Sequence, residues 1–338
     1  MIRVWGLILL ALAVAPAGSV AAGAAGPQGP QESAVVAEIA RIGQAARGTL
    51  GVAAVHLETG RRIAFRPDEF FPMASTVKVA LAARILALAD KGELDLAAHI
   101  PVRRSELAPE GPLGNRWRPG LALSATDLLS PMIVKSDNTA TDVLFRIAGG
   151  PAAVHAHLRT LGIEGIYPAR YIRELLREVL AIPVPASPEL SLAEQFRKMP
   201  PRQTAARQAR SYRANPAYDA DPRDQATPAA MLGLLEKIWR EEGVSSSARA
   251  KLLALMEKRQ AGMPGFRGRL PAGTPVADKT GTLAGSANDV GFITLPEERG
   301  HVALVVFIKG ARASPGAREI VVADIARLVF DDYLLSAR

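Results

Sequence analysis

Three short clusters of nucleophilic, basic and amide side chains are the residues of this chain best suited to covalent chemistry. In chain order they are Ser75-Thr-Val-Lys78, Ser136-Asp-Asn138 and Lys279-Thr-Gly281. A serine hydroxyl is a weak nucleophile until a neighbouring base removes its proton. A lysine in a partly desolvated cleft can be that base, because desolvation lowers its pKa. Together the clusters predict a serine that attacks an acyl group, as in acyl transfer or hydrolysis.

Ser75 and Lys78 are predicted to share one face at the start of a helix. Pro72 precedes them, and residues 75–90 carry apolar side chains on all sides, which is typical of a buried helix. A spacing of three residues places both side chains on one helix face. Amide groups at the helix start, together with the amide of Thr282, are then expected to stabilise an oxyanion. The alternative is a simple helix cap with a solvated lysine, but Lys78 interrupts an otherwise apolar helix.

The second cluster lies between two predicted helices. In the functional interpretation Ser136 relays a proton to a leaving nitrogen and Asn138 holds a substrate amide. In the alternative interpretation the cluster is only a turn and a cap for the helix that follows.

The third cluster precedes a strand-like segment. Lys279 and Thr280 are predicted to bind a substrate carboxylate, and Gly281 to let a substrate backbone lie against the strand. A further guanidinium for the carboxylate is expected from Arg318 on the last predicted helix. The alternative is an edge strand with a lysine that prevents aggregation.

The elements that must position these clusters are strands near both ends of the chain and helices through its middle. Two hairpins are predicted, over residues 50–65 and 290–308, and a final helix over about 316–335. Further helices are predicted to begin after Ser124 and after Thr227, both of which are favourable caps.

We therefore expect an α+β fold in which an antiparallel sheet, flanked by the terminal helices, lies beside an all-helical lobe. The sheet lobe should comprise about residues 33–68 and 221–338, and the helical lobe about 69–220. Within the helical lobe, about residues 165–220 should be an atypical extended omega-loop region. Its extra length, between residues 184 and 220, either reshapes substrate access or forms a mobile surface loop.

The sequence around the clusters resembles that of class A β-lactamases from about residue 35 to the C-terminus. Residues 65–78, 130–140, 227–231 and 277–281 carry the likeness, and the three clusters match the motifs of that family. The resemblance implies a β-lactamase/transpeptidase-like fold and acylation of Ser75 by a β-lactam ring. It also implies hydrolysis of the acyl-enzyme without a cofactor.

The chain departs from the family at the residue that releases the acyl group. The family pattern Glu-x-x-Leu-Asn, whose glutamate activates the hydrolytic water, is absent. Glu174 is the predicted base and Glu178 a second choice, although both could equally be exposed acids of a helix rich in Arg and Glu. If neither reaches the ester, turnover would be slow.

Composition limits the other possibilities. The net charge is +8, and Arg202, Arg207, Arg210 and Arg213 form a local basic stretch that could contact anions. Aromatic residues for base stacking are few, so no nucleic-acid partner is expected. The chain has no Cys, and its five His residues lack ligand spacing, so neither disulfides nor a metal site are predicted.

The N-terminus has the pattern of an export signal. Arg3 precedes a short apolar run, and small residues near 22–24 suit signal peptidase, which predicts a signal peptide over residues 1–24. The run is short for a membrane span, so we expect a periplasmic or secreted monomer without stable membrane insertion.

Three functions compete. The first is β-lactam hydrolysis. The second is peptidoglycan DD-peptidase or other acyl hydrolase activity on the same scaffold, which the missing Glu-x-x-Leu-Asn pattern would favour. The third is a β-lactam-binding protein that is acylated and stays so.

Overall fold

The computed structural model describes residues 30–184, 190–260 and 264–336, with side chains from residue 33. The predicted signal peptide, residues 1–24, lies outside these ranges. No helix in the described ranges is long and apolar enough to cross a membrane.

Helices and strands alternate irregularly along the described residues. The helices are Pro30–Gly43 (α1), Val77–Asp90 (α2), Leu113–Arg116 (α3), Ala125–Val134 (α4), Asn138–Ile147 (α5), Pro151–Thr160 (α6), Ile172–Val179 (α7), Leu192–Lys198 (α8), Pro201–Tyr212 (α9), Pro216–Ala220 (α10), Pro228–Trp239 (α11), Ser246–Glu257 (α12) and Pro315–Ser336 (α13). The strands are Thr49–His56 (β1), Arg62–Phe65 (β2), Phe71–Pro72 (β3), His99–Pro101 (β4), Ala122–Ser124 (β5), Ile166–Tyr167 (β6), Gln225–Ala226 (β7), Val276–Leu283 (β8), Ser286–Thr294 (β9) and His301–Lys309 (β10).

A five-stranded antiparallel sheet is built from the two ends of the chain. Its strand order is β2-β1-β10-β9-β8, so the N-terminal hairpin pairs with the C-terminal strands through β1 and β10. This topology leaves β8, which carries the third cluster, at one edge of the sheet. The predicted α+β class with a sheet from both termini is confirmed.

The central strand β10 shows how the sheet separates two cores. Side chains at Val302, Leu304 and Val306 pack towards the terminal helices α1 and α13. The alternate residues Ala303 and Val305 belong to the larger core shared with the helical lobe. Successive side chains of a strand point to opposite faces, so a continuous apolar run is required where both faces are covered.

Several helix boundaries follow from local capping. The Ser124 hydroxyl accepts a hydrogen bond from the amide of Asp127, and that of Thr227 accepts one from Ala230. Both caps agree with the sequence prediction. The helix predicted from residue 75 instead begins at Val77, because residues 74–76 form a tighter 3-10 turn.

The stretch between residues 190 and 220, predicted as an extended loop, contains the three helices α8, α9 and α10. Pro201 and Pro216 each occupy a first helical position, where the lack of an amide proton costs nothing. The C-terminal end of α9 contacts the edge strand, where the amide of Ala284 donates to the carbonyl of Ser211 at 2.6 Å. The segment therefore borders the sheet edge that carries the third cluster.

Candidate active site

Ser75 lies in the middle of the 3-10 turn that leads into α2. The preceding residue, Ala74, has a φ of 46°, a left-handed conformation that is strained for a residue with a side chain. Strain of this kind is typical of functional sites. The turn packs against β8, so the nucleophile candidate faces the third cluster across a narrow gap.

Lys78 follows Ser75 by one helical turn and is wholly buried. Its Nζ donates hydrogen bonds to the Ser136 carbonyl at 2.7 Å, the Ser136 hydroxyl at 3.0 Å and Asn138 Oδ1 at 2.8 Å. Burial lowers the pKa of Lys78 to about 8, although the nearby carboxylates of Asp137 and Glu110 act in the opposite direction. The first two clusters are thus joined directly, and the solvated lysine of the alternative interpretation is not observed.

The second cluster forms the turn between α4 and α5. Ser136 has a φ of 56°, and the buried Asp137 caps α5 by accepting a hydrogen bond from the Ala140 amide at 2.8 Å. The turn-and-cap interpretation is therefore confirmed for Asp137. It leaves Ser136 and Asn138 on either side of the cap, both in contact with Lys78.

Lys279 approaches the same serine from the sheet. Its Nζ donates to the Ser136 hydroxyl at 3.1 Å and to the Thr280 carbonyl at 2.6 Å, and its side chain is wholly buried. Burial, with repulsion from Lys78 and Arg259, lowers the pKa of Lys279. A wholly buried side chain cannot act as the solvent-exposed lysine that protects a sheet edge, so that alternative is wrong.

Gly281 sets how closely β8 approaches Ser75. A Cβ atom at this position would lie 2.8 Å from the Met73 carbonyl oxygen, 2.9 Å from the Ser75 amide nitrogen and 3.0 Å from that of Thr76. Only glycine allows the strand and the turn to come this close.

All three clusters border one cavity of about 350 Å³ between the lobes. Ser75, Ser136, Thr280 and Thr282 form part of its wall. A larger cavity of about 590 Å³ lies beside Phe70 and contains none of the three clusters. The convergence of chemical groups, and not volume, therefore identifies the active-site candidate.

The other charged residues of this cavity wall were not identified from the sequence. They are Glu110, Lys135 and Glu319, and the helix α9 adds Ser211 and Tyr212. Glu110 has a φ of 65° in a Pro-Glu-Gly segment, and this turn was the only local signal that the sequence offered. Glu110 as a whole residue is exposed. Its carboxyl group is nevertheless shielded from water by neighbouring protein atoms, and this desolvation raises its pKa.

The predicted base Glu174 is not brought to this cavity. Its carboxylate accepts a hydrogen bond from the Tyr171 amide at 3.1 Å at the start of α7, and 49% of its side chain is exposed. Glu178 likewise lies outside the cavity wall, in ion pairs with Arg170 and Arg223. The acids of α7 thus occupy the places that the alternative interpretation gave them.

Arg318 is also absent from the cavity wall. Its Nε donates to the Ala313 carbonyl at 2.9 Å and a terminal nitrogen donates to the Tyr212 carbonyl at 2.6 Å. The residue is only 3% exposed. Its guanidinium thus joins the end of α9 to the segment before α13.

In the described ranges, no group of three or more His, Cys, Asp or Glu side chains is arranged to hold a metal ion.

Comparison with known proteins gives a consistent result. The family model described as "Beta-lactamase enzyme family" matches residues 34–333. The curated relative Beta-lactamase L2 of Stenotrophomonas maltophilia is 30% identical over 286 residues, which are 84% of this chain and 81% of that protein.

Solved structures of similar proteins have the same fold. An ancestral class A β-lactamase, reconstructed for Gram-negative bacteria, is 32% identical with a TM-score of 0.73, covering 88% of this chain and 99% of that one. A β-lactamase from Chitinophaga pinensis is 28% identical with a TM-score of 0.72, covering 88% and 98%. Since the family model spans nearly the whole chain and the three motifs of the family meet at one cavity, this chain belongs to the class A β-lactamase family.

Proposed function

We propose that the protein hydrolyses β-lactams through an acyl-enzyme on Ser75. The observation that supports this most directly is the convergence of two buried ammonium groups, those of Lys78 and Lys279, on the hydroxyl of Ser136 beside Ser75. The name of the curated relative Beta-lactamase L2 supports the same substrate class.

In the acylation step the neutral amine of Lys78 accepts the proton of the Ser75 hydroxyl. A pKa of about 8 keeps about a tenth of this amine neutral at pH 7, so it can act as a base under ordinary conditions. The serine oxygen bonds to the lactam carbonyl carbon, and the carbon–nitrogen bond of the ring breaks. Ser136 donates its proton to the leaving nitrogen and is reprotonated by Lys78, with which it shares a hydrogen bond.

The remaining groups of the clusters bind the substrate and the oxyanion. The amides of Ser75 and Thr282 stabilise the oxyanion, since Gly281 holds β8 close to the Ser75 amide. Lys279 and Thr280 attract the carboxylate of the substrate, and Asn138 holds its side-chain amide.

The second half-reaction needs a carboxylate to activate water. Glu174 is the sequence-based choice, but its contact with the Tyr171 amide and its exposure support a capping role. Glu110 lines the cavity, and its backbone carbonyl accepts a hydrogen bond at 3.2 Å from the amide of Asn138, whose side chain contacts Lys78. We propose Glu110 as the carboxylate better placed to assist hydrolysis.

A slowly hydrolysed acyl-enzyme is the second function with a specific observation in its favour. Neither Glu174 nor Glu178 lies in the wall of the Ser75 cavity. A protein in which no carboxylate reaches the ester would be acylated by β-lactams and remain so. A peptidoglycan-like acyl substrate, as for a DD-peptidase, would use the same Ser75, Lys78 and Ser136.

One experiment separates these functions. The mature protein is incubated with a chromogenic cephalosporin, and ring opening and intact mass are followed together, with Ser75→Ala as the control. Rapid turnover supports hydrolysis, and a stable adduct without turnover supports the slow acyl-enzyme. The absence of both signals would contradict β-lactam chemistry and favour another acyl substrate.

We propose in addition that the protein is exported and acts in the periplasm or outside the cell, since residues 1–24 have the pattern of a signal peptide. Mass determination of the protein after expression with an intact N-terminus tests this, because cleavage near residue 22–24 shortens the chain. An unprocessed chain that stays with the cell interior would contradict it.

A further inference from the structure

Glu319 lies in the part of the cavity wall where the substrate carboxylate is expected. It shares this wall with Thr280 and Thr282 of β8 and with Pro315 at the start of α13. Its side chain is partly buried where α13 packs against residues 265–268. An acid therefore stands close to the groups proposed to attract a substrate anion.

The neighbouring cations are held by other partners. Arg318 donates to the carbonyl groups of Ala313 and Tyr212. Arg259 forms an ion pair with Asp278 at 2.7 Å. Both guanidinium groups act on Glu319 electrostatically, but neither forms an ion pair with it in the described ranges.

The charged wall of the cavity is consequently more acidic than basic. Its acidic side chains are Glu110 and Glu319, and Lys135 is the single cation among the lining residues that the structure describes. Lys135 is exposed and its Nζ is hydrogen-bonded to the side-chain oxygen of Gln260. Lys279 is buried behind this wall, where its Nζ donates to the Ser136 hydroxyl and to the Thr280 carbonyl.

We propose that Glu319 makes the Ser75 cavity selective for β-lactams that carry a cationic group beside the ring carboxylate, and against those that carry a second anion there. This inference rests on the proposed β-lactam chemistry of Ser75 and specifies its substrate class. In a partly desolvated cleft, an attractive charge contact in place of a repulsive one changes affinity by about tenfold or more.

The selectivity should depend on pH. Burial raises the pKa of Glu319 to about 7, while the Gly265 amide, Arg259 and Arg318 act in the opposite direction. Glu319 is then mostly neutral at pH 6 and mostly ionised at pH 8. The preference for a cation should be weak at pH 6 and strong at pH 8.

The test uses three cephalosporins that share one core and one acylamino side chain. Next to the ring carboxylate they carry trimethylammonium, hydroxyl or sulfonate, whose charges do not change between pH 6 and pH 8. Loss of the β-lactam absorbance gives kcat/KM, and intact mass confirms acylation of Ser75. We expect the cationic substrate to exceed the sulfonate by at least about tenfold at pH 8, and by no more than about threefold at pH 6.

Two variants locate the effect. Glu319→Gln should reduce the ratio at pH 8 to its value at pH 6. Asp331→Asn, on the same helix but in an ion pair with Arg327 outside the cavity wall, removes the same charge and should leave the ratio unchanged. A Glu319→Gln variant that is acylated and keeps the wild-type ratio at both pH values would overturn the proposal.

The result remains informative if the β-lactam proposal fails. None of the three cephalosporins would then acylate Ser75. Arylboronic acids bind reversibly to nucleophilic serines, so two of them are compared, one with trimethylammonium and one with sulfonate. The ratio of their dissociation constants measures the same charge selectivity without turnover. Equal affinities in the wild-type protein at pH 8 would contradict the charge selectivity independently of turnover.

Discussion

The pKa of Lys78 gives the most direct test of the acylation chemistry. If the neutral amine is the base, the acylation rate should increase about tenfold between pH 7 and pH 9 and level off above a midpoint near pH 8. Lys78→Met removes the amine without adding a charge. It should lower the acylation rate by about a hundredfold to ten-thousandfold, which is the usual contribution of a general base.

The effect of this substitution on stability can be estimated separately. The difference between a pKa of 10.5 in the unfolded chain and about 8 in the folded one corresponds to about 3 kcal/mol. Because the folded pKa is the lower one, this cost is fully present below pH 8 and disappears as the pH rises to 10.5. Met removes the cost but leaves oxygen atoms of Ser136 and Asn138 without their donor, at about 1–3 kcal/mol each. We therefore expect Lys78→Met to be folded at pH 7, with an unfolding midpoint close to that of the wild type.

The assay measures acylation by rapid quenching and intact mass from pH 6 to pH 10, so that slow deacylation does not affect the result. Glu110→Gln provides a second check, because the Glu110 carboxylate raises the pKa of Lys78. Its removal should move the midpoint to lower pH. A folded Lys78→Met variant that acylates within about threefold of the wild type, or a rate independent of pH, would refute the assignment of Lys78 as the base.

Four other substitutions test how the fold positions the site and what stabilises it. Gly281→Ala places a methyl group 2.9 Å from the Ser75 amide nitrogen and should lower acylation at least tenfold. Gly233→Ala lies in the interior of α11, where the added carbon meets no described atom within 4 Å apart from its chain neighbours and its own helix backbone. It should stabilise the fold by about 0.5–1 kcal/mol without changing acylation. Asp224→Ala removes the 2.5 Å partner of the Arg170 Nε, while Glu178 and Asp221 remain paired with this guanidinium, and should cost about 2 kcal/mol in urea unfolding. A cost below about 1 kcal/mol would mean that the pair contributes no more than a surface one. Glu174→Gln, at an exposed helix start, should leave cephalosporin turnover unchanged, and accumulation of the acyl-enzyme would instead support Glu174 as the base.

Much of the fold follows from local patterns. The apolar run of β10 and the caps at Ser124 and Thr227 depend on residues that are close in the sequence, so these elements were predicted with small errors at their ends. The helices α8, α9 and α10 were missed, because their region was predicted as an extended loop. The error at the start of α2 arose because a strained φ at Ala74 produces a 3-10 turn that no local pattern indicates.

The candidate site was predictable only in part. The three clusters could be recognised because each carries chemistry within a few residues, and the structure brings them to one cavity. Glu174 and Arg318 were chosen for their residue type and position along the chain. Both side chains are held elsewhere by backbone groups: Glu174 by an amide of its own helix start, and Arg318 by the carbonyl groups of Ala313 and Tyr212.

The sequence by itself determined the nucleophile candidate Ser75, the amine beside it and the α+β class, because helix periodicity and strand alternation are local properties. Only the tertiary structure decided which acids line the cavity, since Glu110 and Glu319 are separated by most of the chain and meet Ser75 only when the two lobes pack together. The pKa of Lys78 is also a tertiary property. Burial lowers it to about 8, and no run of neighbouring residues can exclude water from a side chain to that degree.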